Sequence, residues 1–307
     1  MTEPLGMAES VQVVEVGPRD GLQNEATILA AEDKVRFIEL AIAAGVRRVE
    51  AVSFVRPDAV PQMADAEKVM AQVSRRDDVS YIGLVLNRRG FQRALDSGVD
   101  EINLVLAASN SFNLRNQKAT TDSLVAMVEE VLDLASSAGM PASVTIATAF
   151  GCPFEGEVPP DVVAGLVARA SAAGAREIAL ADTIGVGVPR QVRELFDIAR
   201  GLTDAPLRAH FHNTRNTGYA NAVTALDIGV DILDSSIGGI GGCPFAPRAT
   251  GNIATEDLVY TLDRSGYASG LSVPALVTAA EFVGKKLGKE VPSMVSKAGG
   301  FPRGAAS

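Results

Sequence analysis

His210 and His212 are the only histidines in the 307-residue chain, and they stand two positions apart in the segment His-Phe-His-Asn. On a β-strand that spacing points both imidazoles to one face. Two imidazoles joined by a carboxylate oxygen suit a divalent cation, and Asp20, in Gly-Pro-Arg-Asp-Gly after the first apolar run, can supply the oxygen. An octahedral centre would also accept an amide oxygen and waters. The competing reading, histidines that satisfy hydrogen bonds in a core, is weaker for a pair than for one lone residue. A two-metal hydrolytic centre needs further His or Lys ligands, and the chain has no third histidine.

The second chemical feature is the glycine-rich stretch Gly-Gly-Ile-Gly-Gly-Cys-Pro-Phe-Ala at 238–246, whose Cys243 can swing over a pocket and exchange a proton if the loop is mobile. Loops of this kind late in a barrel often cradle phosphate. No Gly-Lys-Ser/Thr follows, so a nucleotide P-loop is excluded, and a plain tight turn is the simpler alternative. Cys152, in Phe-Gly-Cys-Pro, is expected to be buried and inert. An intracellular chain with two cysteines rarely depends on a disulfide.

These residues must be positioned by a repeating unit: an Ala-rich amphipathic stretch, a glycine stop, then about seven apolar residues. Its clearest copies stop at Gly45, Gly98, Gly174 and Gly229. Glycine suits the end of a helix because it accepts positive φ without steric cost, and the β-branched runs suit strands buried on both faces. Strands are expected at 11–16, 48–54, 81–86, 101–107, 143–150, 177–181, 208–211 and 232–237. Eight alternating units favour a (β/α)8 TIM barrel over an open doubly wound sheet, and no G-x-G-x-x-G follows the first strand. The barrel is expected over about 10–265, with a short C-terminal helical extension and tail at 266–307. In that fold chemistry belongs at the C-terminal strand ends, where Asp20, Glu50, Ser53, Asp182 and the histidine pair fall.

Composition narrows the function classes. A formal charge of -9 argues against a nucleic-acid surface, which needs clustered Lys and Arg. No run of about 18 apolar residues suggests a membrane span, and the N-terminus reads as lacking a leader, so a cytoplasmic protein is expected.

The assembled residues make the chain resemble the hydroxymethylglutaryl-CoA lyase family, within the metal-dependent barrel lyases and Claisen-type synthases that include isopropylmalate and homocitrate synthases. The likeness spans nearly the whole chain. Its carriers are V-E-V-G-P-R-D-G-L-Q-N-E at 14–25, V-P-Q-M at 60–63, G-C-P-F-E-G at 151–156, D-T-I-G-V-G at 182–187 and G-G-C-P-F-A at 241–246. The resemblance implies Mg2+ or Mn2+ held by Asp20, His210, His212 and Asn252, with Arg19 beside it. It also implies pocket roles for Glu50, Asp182, Gln23, Glu15 and Glu256, a catalytic thiol at Cys243, an acyl-CoA substrate, and a homodimer or larger oligomer. A place in leucine degradation and ketone-body formation follows from the same likeness. The G-G-C-P stretch favours a lyase over a synthase.

The expected reaction cleaves a 3-hydroxyacyl thioester between C2 and C3. Arg19 would stabilise charge on the thioester oxygen, and His210 or Asp182 would accept the hydroxyl proton, two candidates that sequence does not separate. Gln23, Ser53, Gly241, Gly242, Arg215 and Arg248 are the expected substrate contacts. Two departures stand out. Where the family usually has His-Asp-Thr-Tyr, this chain reads His212-Asn213-Thr214-Arg215, and Arg248 replaces a small residue before Ala-Thr-Gly-Asn. Two extra guanidiniums at the pocket mouth either bind an acyl carboxylate or CoA phosphate, making citramalyl-CoA an alternative substrate, or are solvated surface arginines. Arg88 and Arg89 can meet CoA phosphates or simply start a solvated helix.

Overall fold

The computed structural model describes residues 10–242 and 251–302. Eight parallel strands hydrogen-bond in sequence order: β1 (Gln12–Glu15), β2 (Arg48–Ser53), β3 (Ser80–Val85), β4 (Glu101–Ala107), β5 (Ala142–Ala147), β6 (Glu177–Asp182), β7 (Leu207–Phe211) and β8 (Ile232–Ser235). β8 then pairs with β1 and closes the barrel. The TIM barrel expected from the repeating unit is the fold observed, and Gly45, Gly98, Gly174 and Gly229 all carry the positive φ their helix stops require, 109°, 68°, 85° and 80°.

The principal outer helices are α1 (Ala31–Ala43), α2 (Ala66–Gln72), α3 (Arg88–Asp96), α4 (Asn110–Asn116), α5 (Thr121–Ser137), α6 (Pro160–Ala172), α7 (Pro189–Arg200), α8 (Gly218–Asp227) and α9 (Thr255–Ser265). Their starts follow local chemistry: Thr120 accepts the Ser123 amide, Ser109 the Phe112 amide, and Pro160 and Pro189 occupy first turns. Two strands stop well short of their apolar runs. The sequence predicts strands over 143–150 and 232–237, but β8 stops at Ser235, where a 3-10 turn over Ile237–Gly239 follows, and β5 stops at Ala147 because the buried Thr148 takes φ 54°. A β-branched residue in that region is strained, which is most often tolerated near functional sites.

The C-terminal extension is α10 (Val273–Leu287), ended by Gly288 at φ 70°, and the short α11 (Val295–Ala298). α10 lies against α1, and Asp257 on α9 anchors α11 by accepting the Ser293 hydroxyl at 2.8 Å and the Met294 and Val295 amides at 2.9 and 2.7 Å. Among the described residues no helix is long and apolar enough to cross a membrane.

The barrel interior is not purely aliphatic. Beneath the C-terminal mouth, Arg48 pairs with Glu101 and Glu177 at 2.7 Å each, and Arg208 with Glu177 at 3.1 Å and Asp234 at 3.4 Å. Charges this deep survive only because each meets an opposite one; removing a single partner typically costs about 3–5 kcal/mol. The result is a rigid polar floor under the mouth.

Candidate active site

β1 runs into a π-helical turn, Gly17–Gly21, that delivers Arg19 and Asp20 to the mouth. The turn is fixed from below by Glu15, which accepts the Gly17 amide at 2.8 Å, the Ile237 amide at 2.9 Å and the Thr255 hydroxyl at 2.7 Å. Glycine is needed where the chain presses on its neighbours: a Cβ on Gly17 would lie 2.5 Å from Glu15 Oε1, and one on Gly21 2.8 Å from Ile240. Full burial of Glu15 dominates its donors and raises its pKa from 4.5 to about 8. The folded state therefore holds a proton that the unfolded chain has released. The stability this contributes is present below about pH 4.5 and lost as pH rises through about 8. Glu15→Gln mimics the protonated form, so its urea-unfolding free energy should vary less than wild type across that window, by a few kcal/mol on the order of 1.4 per pH unit. Parallel pH profiles for the two proteins would refute the assignment.

Asp20 meets the histidine pair at the mouth. Ligand atoms of Asp20, His210 and His212 lie within 4.8 Å of one another, with His212 Nε2 3.9 Å from Asp20 Oδ2 and the two rings 5.2 Å apart. Asn252 joins them: it bridges to His212 as a strand-like pair and donates Nδ2 to Asp20 Oδ2 at 2.8 Å. Two buried polar atoms in this cluster, Asn252 Oδ1 and His212 Nδ1, have no hydrogen-bond partner. An unpaired buried acceptor costs about 1–3 kcal/mol. An amide oxygen left open beside a carboxylate and two imidazoles fits the donor set of an oxygen- and nitrogen-ligated divalent cation.

Asp20 and His212 are both shifted toward their unprotonated forms. Burial works against ionisation of Asp20, but Arg19, the two histidines and the Asn252 amide outweigh it and bring the pKa down to about 2. Burial and then His210 lower His212 to about 3, so its ring stays neutral and free to ligate. His210 moves the other way. Its own burial is overcome by Asp234, whose carboxylate lies 3.1 Å from Nδ1, and its pKa rises.

Arg19 is the most constrained of these side chains. Nε donates to Glu50 Oε2 at 2.7 Å, Nη2 to the same oxygen, and Nη1 to Asp20 Oδ1 at 2.7 Å. Three of the five guanidinium donors are thus engaged and two are left for a ligand. Glu50, expected as a catalytic group, accepts from Arg19 and from Asn103 Nδ2 at 2.9 Å, contacts that hold the Arg19 guanidinium in place.

The remaining expected residues divide. Asp182 at the end of β6 is fully buried and accepts the Val186 and Gly187 amides, each at 2.9 Å; burial prevails over these donors and raises its pKa. Ser53, at the end of β2, is buried with an unpartnered hydroxyl, and Gln23 is half-buried beside the turn. Gly241 takes φ 107° where a Cβ would strike Asn252 Nδ2 at 2.6 Å, and Gly242 receives the Asn24 amide at 2.8 Å. Arg215 is exposed, and its Nη1 donates to the Ile184 and Gly185 carbonyls at 3.0 Å, so this guanidinium also braces the loop after β6. Glu256 holds the Gly238 amide and the Ser296 hydroxyl. Arg88 pairs with Glu130 at 3.6 Å on the exposed surface, and Arg89 is exposed beside it. Cys152 is buried with Sγ 2.9 Å from the Ser109 hydroxyl. Cys243 and Arg248 lie outside the described residues. The sequence does not single out Asp234 and Asn103, whose only signal is a buried polar side chain within a largely apolar strand run.

The family model described as HMGL-like matches residues 10–283. The (R)-citramalyl-CoA lyase of Chloroflexus aurantiacus is 43% identical over 303 residues, covering 95% of each protein. The hydroxymethylglutaryl-CoA lyase of Pseudomonas mevalonii is 41% identical, covering 91% of this chain and 93% of its own. A solved HMG-CoA lyase from Acinetobacter baumannii, in complex with coenzyme A and 3-methylmalate, superposes with a TM-score of 0.92 at 38% identity, covering 99% of this chain and 100% of that one.

Proposed function

Because the chain belongs to the HMGL-like family and is a lyase, we propose that it cleaves a 3-hydroxy-3-methylglutaryl-CoA-type thioester to acetyl-CoA and acetoacetate. The observation that carries this reading is the Asp20–His210–His212 cluster set directly beside Arg19. Asp20, His210, His212 and Asn252 are the residues that would hold Mg2+ or Mn2+. When bound, such an ion supplies Lewis acidity to the substrate's hydroxyl and carboxylate oxygens.

The chain's own groups perform the rest. We assign acceptance of the C3 hydroxyl proton to Asp182, whose carboxyl is fully buried and shifted upward by that burial. The electrons of that O–H bond form the ketone carbonyl, the C2–C3 bond breaks, and its electron pair moves into the thioester as an enolate. The two remaining N–H groups of Arg19 stabilise the enolate oxygen, held in place by Glu50 so that little reorganisation accompanies charge development. Protonation at C2 then gives acetyl-CoA, and the family resemblance assigns that proton to Cys243 and a substrate contact to Arg248. The expected working form is a homodimer or larger oligomer in the cytoplasm.

A second reading is favoured by the 43% identity to an (R)-citramalyl-CoA lyase and by Arg215 at the mouth. There the co-product is pyruvate. Incubating the protein with each thioester, with Mg2+ and with a chelator, separates the two readings: acetoacetate supports the first and pyruvate the second. Acetyl-CoA release from neither thioester would defeat both.

A further inference from the structure

His210 and His212 are held very differently. His212 Nδ1 is buried with no partner, whereas His210 Nδ1 lies 3.1 Å from Asp234 Oδ2. The contact is built into the sheet, because His210 on β7 is the registered neighbour of Asp234 on β8. Asp234 is 4% exposed, and its other oxygen faces Arg208 Nε at 3.4 Å; Arg208 in turn meets Glu177 at 3.1 Å, and Glu177 meets Arg48 at 2.7 Å. A carboxylate only accepts, so the nitrogen facing it must carry the proton.

We propose that Asp234 is a positioning residue that fixes His210 as the Nδ1–H tautomer and leaves Nε2 open toward the Asp20–His212 cluster, with Arg208 holding Asp234 in that orientation. The idea rests on the metal-centre reading given above. Carboxylate–imidazole pairs of this kind set ring orientation and raise the basicity of the open nitrogen, and losing one typically weakens metal binding about 10- to 100-fold. The barrel floor thereby acquires a role beyond stability: its alternating charges run from Glu101 through Arg48, Glu177 and Arg208 to Asp234 and end on one imidazole.

Asp234→Asn tests this sharply. Arg208 draws the amide oxygen to its own side, which turns the NH2 toward His210 and forces Nδ1 to accept. The ring must then protonate at Nε2, the nitrogen required for ligation. Asp234→Ala removes the partner without imposing the wrong tautomer.

With only two histidines in the chain, 15N-histidine labelling gives two imidazole spin systems, assigned by comparison with His212→Gln. In metal-free wild type above the imidazole titration, His210 should show Nδ1–H; in Asp234→Asn it should switch to Nε2–H. The Mn2+ dissociation constant should rise about 10- to 100-fold in Asp234→Asn, and more than in Asp234→Ala. A merely structural role predicts the reverse order, with alanine the more damaging change. An Nε2–H tautomer in wild type overturns the proposal even if the variants fail to fold. Wild-type protein that binds no Mn2+ overturns the metal centre and this proposal together, whereas intact binding with an unmoved tautomer in Asp234→Asn overturns this proposal alone.

Discussion

Arg19→Met should lower kcat by at least about 10^3-fold, because it removes the donors left for the enolate oxygen, and a single such donor is worth about 10^2- to 10^3-fold. The change also strands Glu50, which is 2% exposed and would keep only Asn103 as a partner. An unpaired buried carboxylate costs about 3–5 kcal/mol, so a loss of rate could be mistaken for a loss of fold. Adding Glu50→Gln separates the two effects. The double variant should recover thermal stability, since Gln tolerates the missing guanidinium, and should recover none of the rate. Rate returning together with stability would show that Arg19 acts only as a structural partner. Arg19→Lys should resemble methionine in rate, because an ammonium cannot reach Glu50 and Asp20 together and still face a substrate.

Asp20→Ala carries the second large effect. It deletes the carboxylate that lies with both imidazoles and, with it, an acceptor for Asn252 Nδ2 and Arg19 Nη1. Isothermal titration with Mn2+ should show saturable binding in wild type and none measurable in the variant, with turnover lost in parallel. The fold should survive, since Asp20 lies in a turn fastened from below by Glu15 rather than in the barrel core. A Mn2+ isotherm unchanged by Asp20→Ala would remove this residue from the ligand set.

The barrel was legible because its two signals are local. A helix stop needs positive φ and therefore glycine, and a strand buried on both faces needs an unbroken apolar run. The cluster was legible for a related reason: two-residue spacing puts His210 and His212 on one face without any knowledge of the fold. Asp234 was not, because only the β7–β8 register brings it beside a histidine 24 residues away. Glu50 was recognised as a residue of the site, but its enclosure by Arg19 and Asn103 depends on strands β2 and β4 facing the same interior. The early end of β5 ran against propensity, since Thr148 belongs in a strand by type and takes φ 54° only under tertiary constraint. Arg215 stood out by departing from a motif, yet the carbonyls it braces come from the preceding βα loop and leave no trace in its own segment.

Everything proposed for the chemistry depends on one cation between Asp20, His210 and His212. The most direct measurement is an anomalous difference map from a crystal of this protein soaked in Mn2+. A single strong peak should appear within coordinating distance of Asp20, both imidazoles and Asn252 Oδ1, beside the Arg19 guanidinium. A map with no peak there, or with manganese bound elsewhere while acetyl-CoA release persists, would contradict the account.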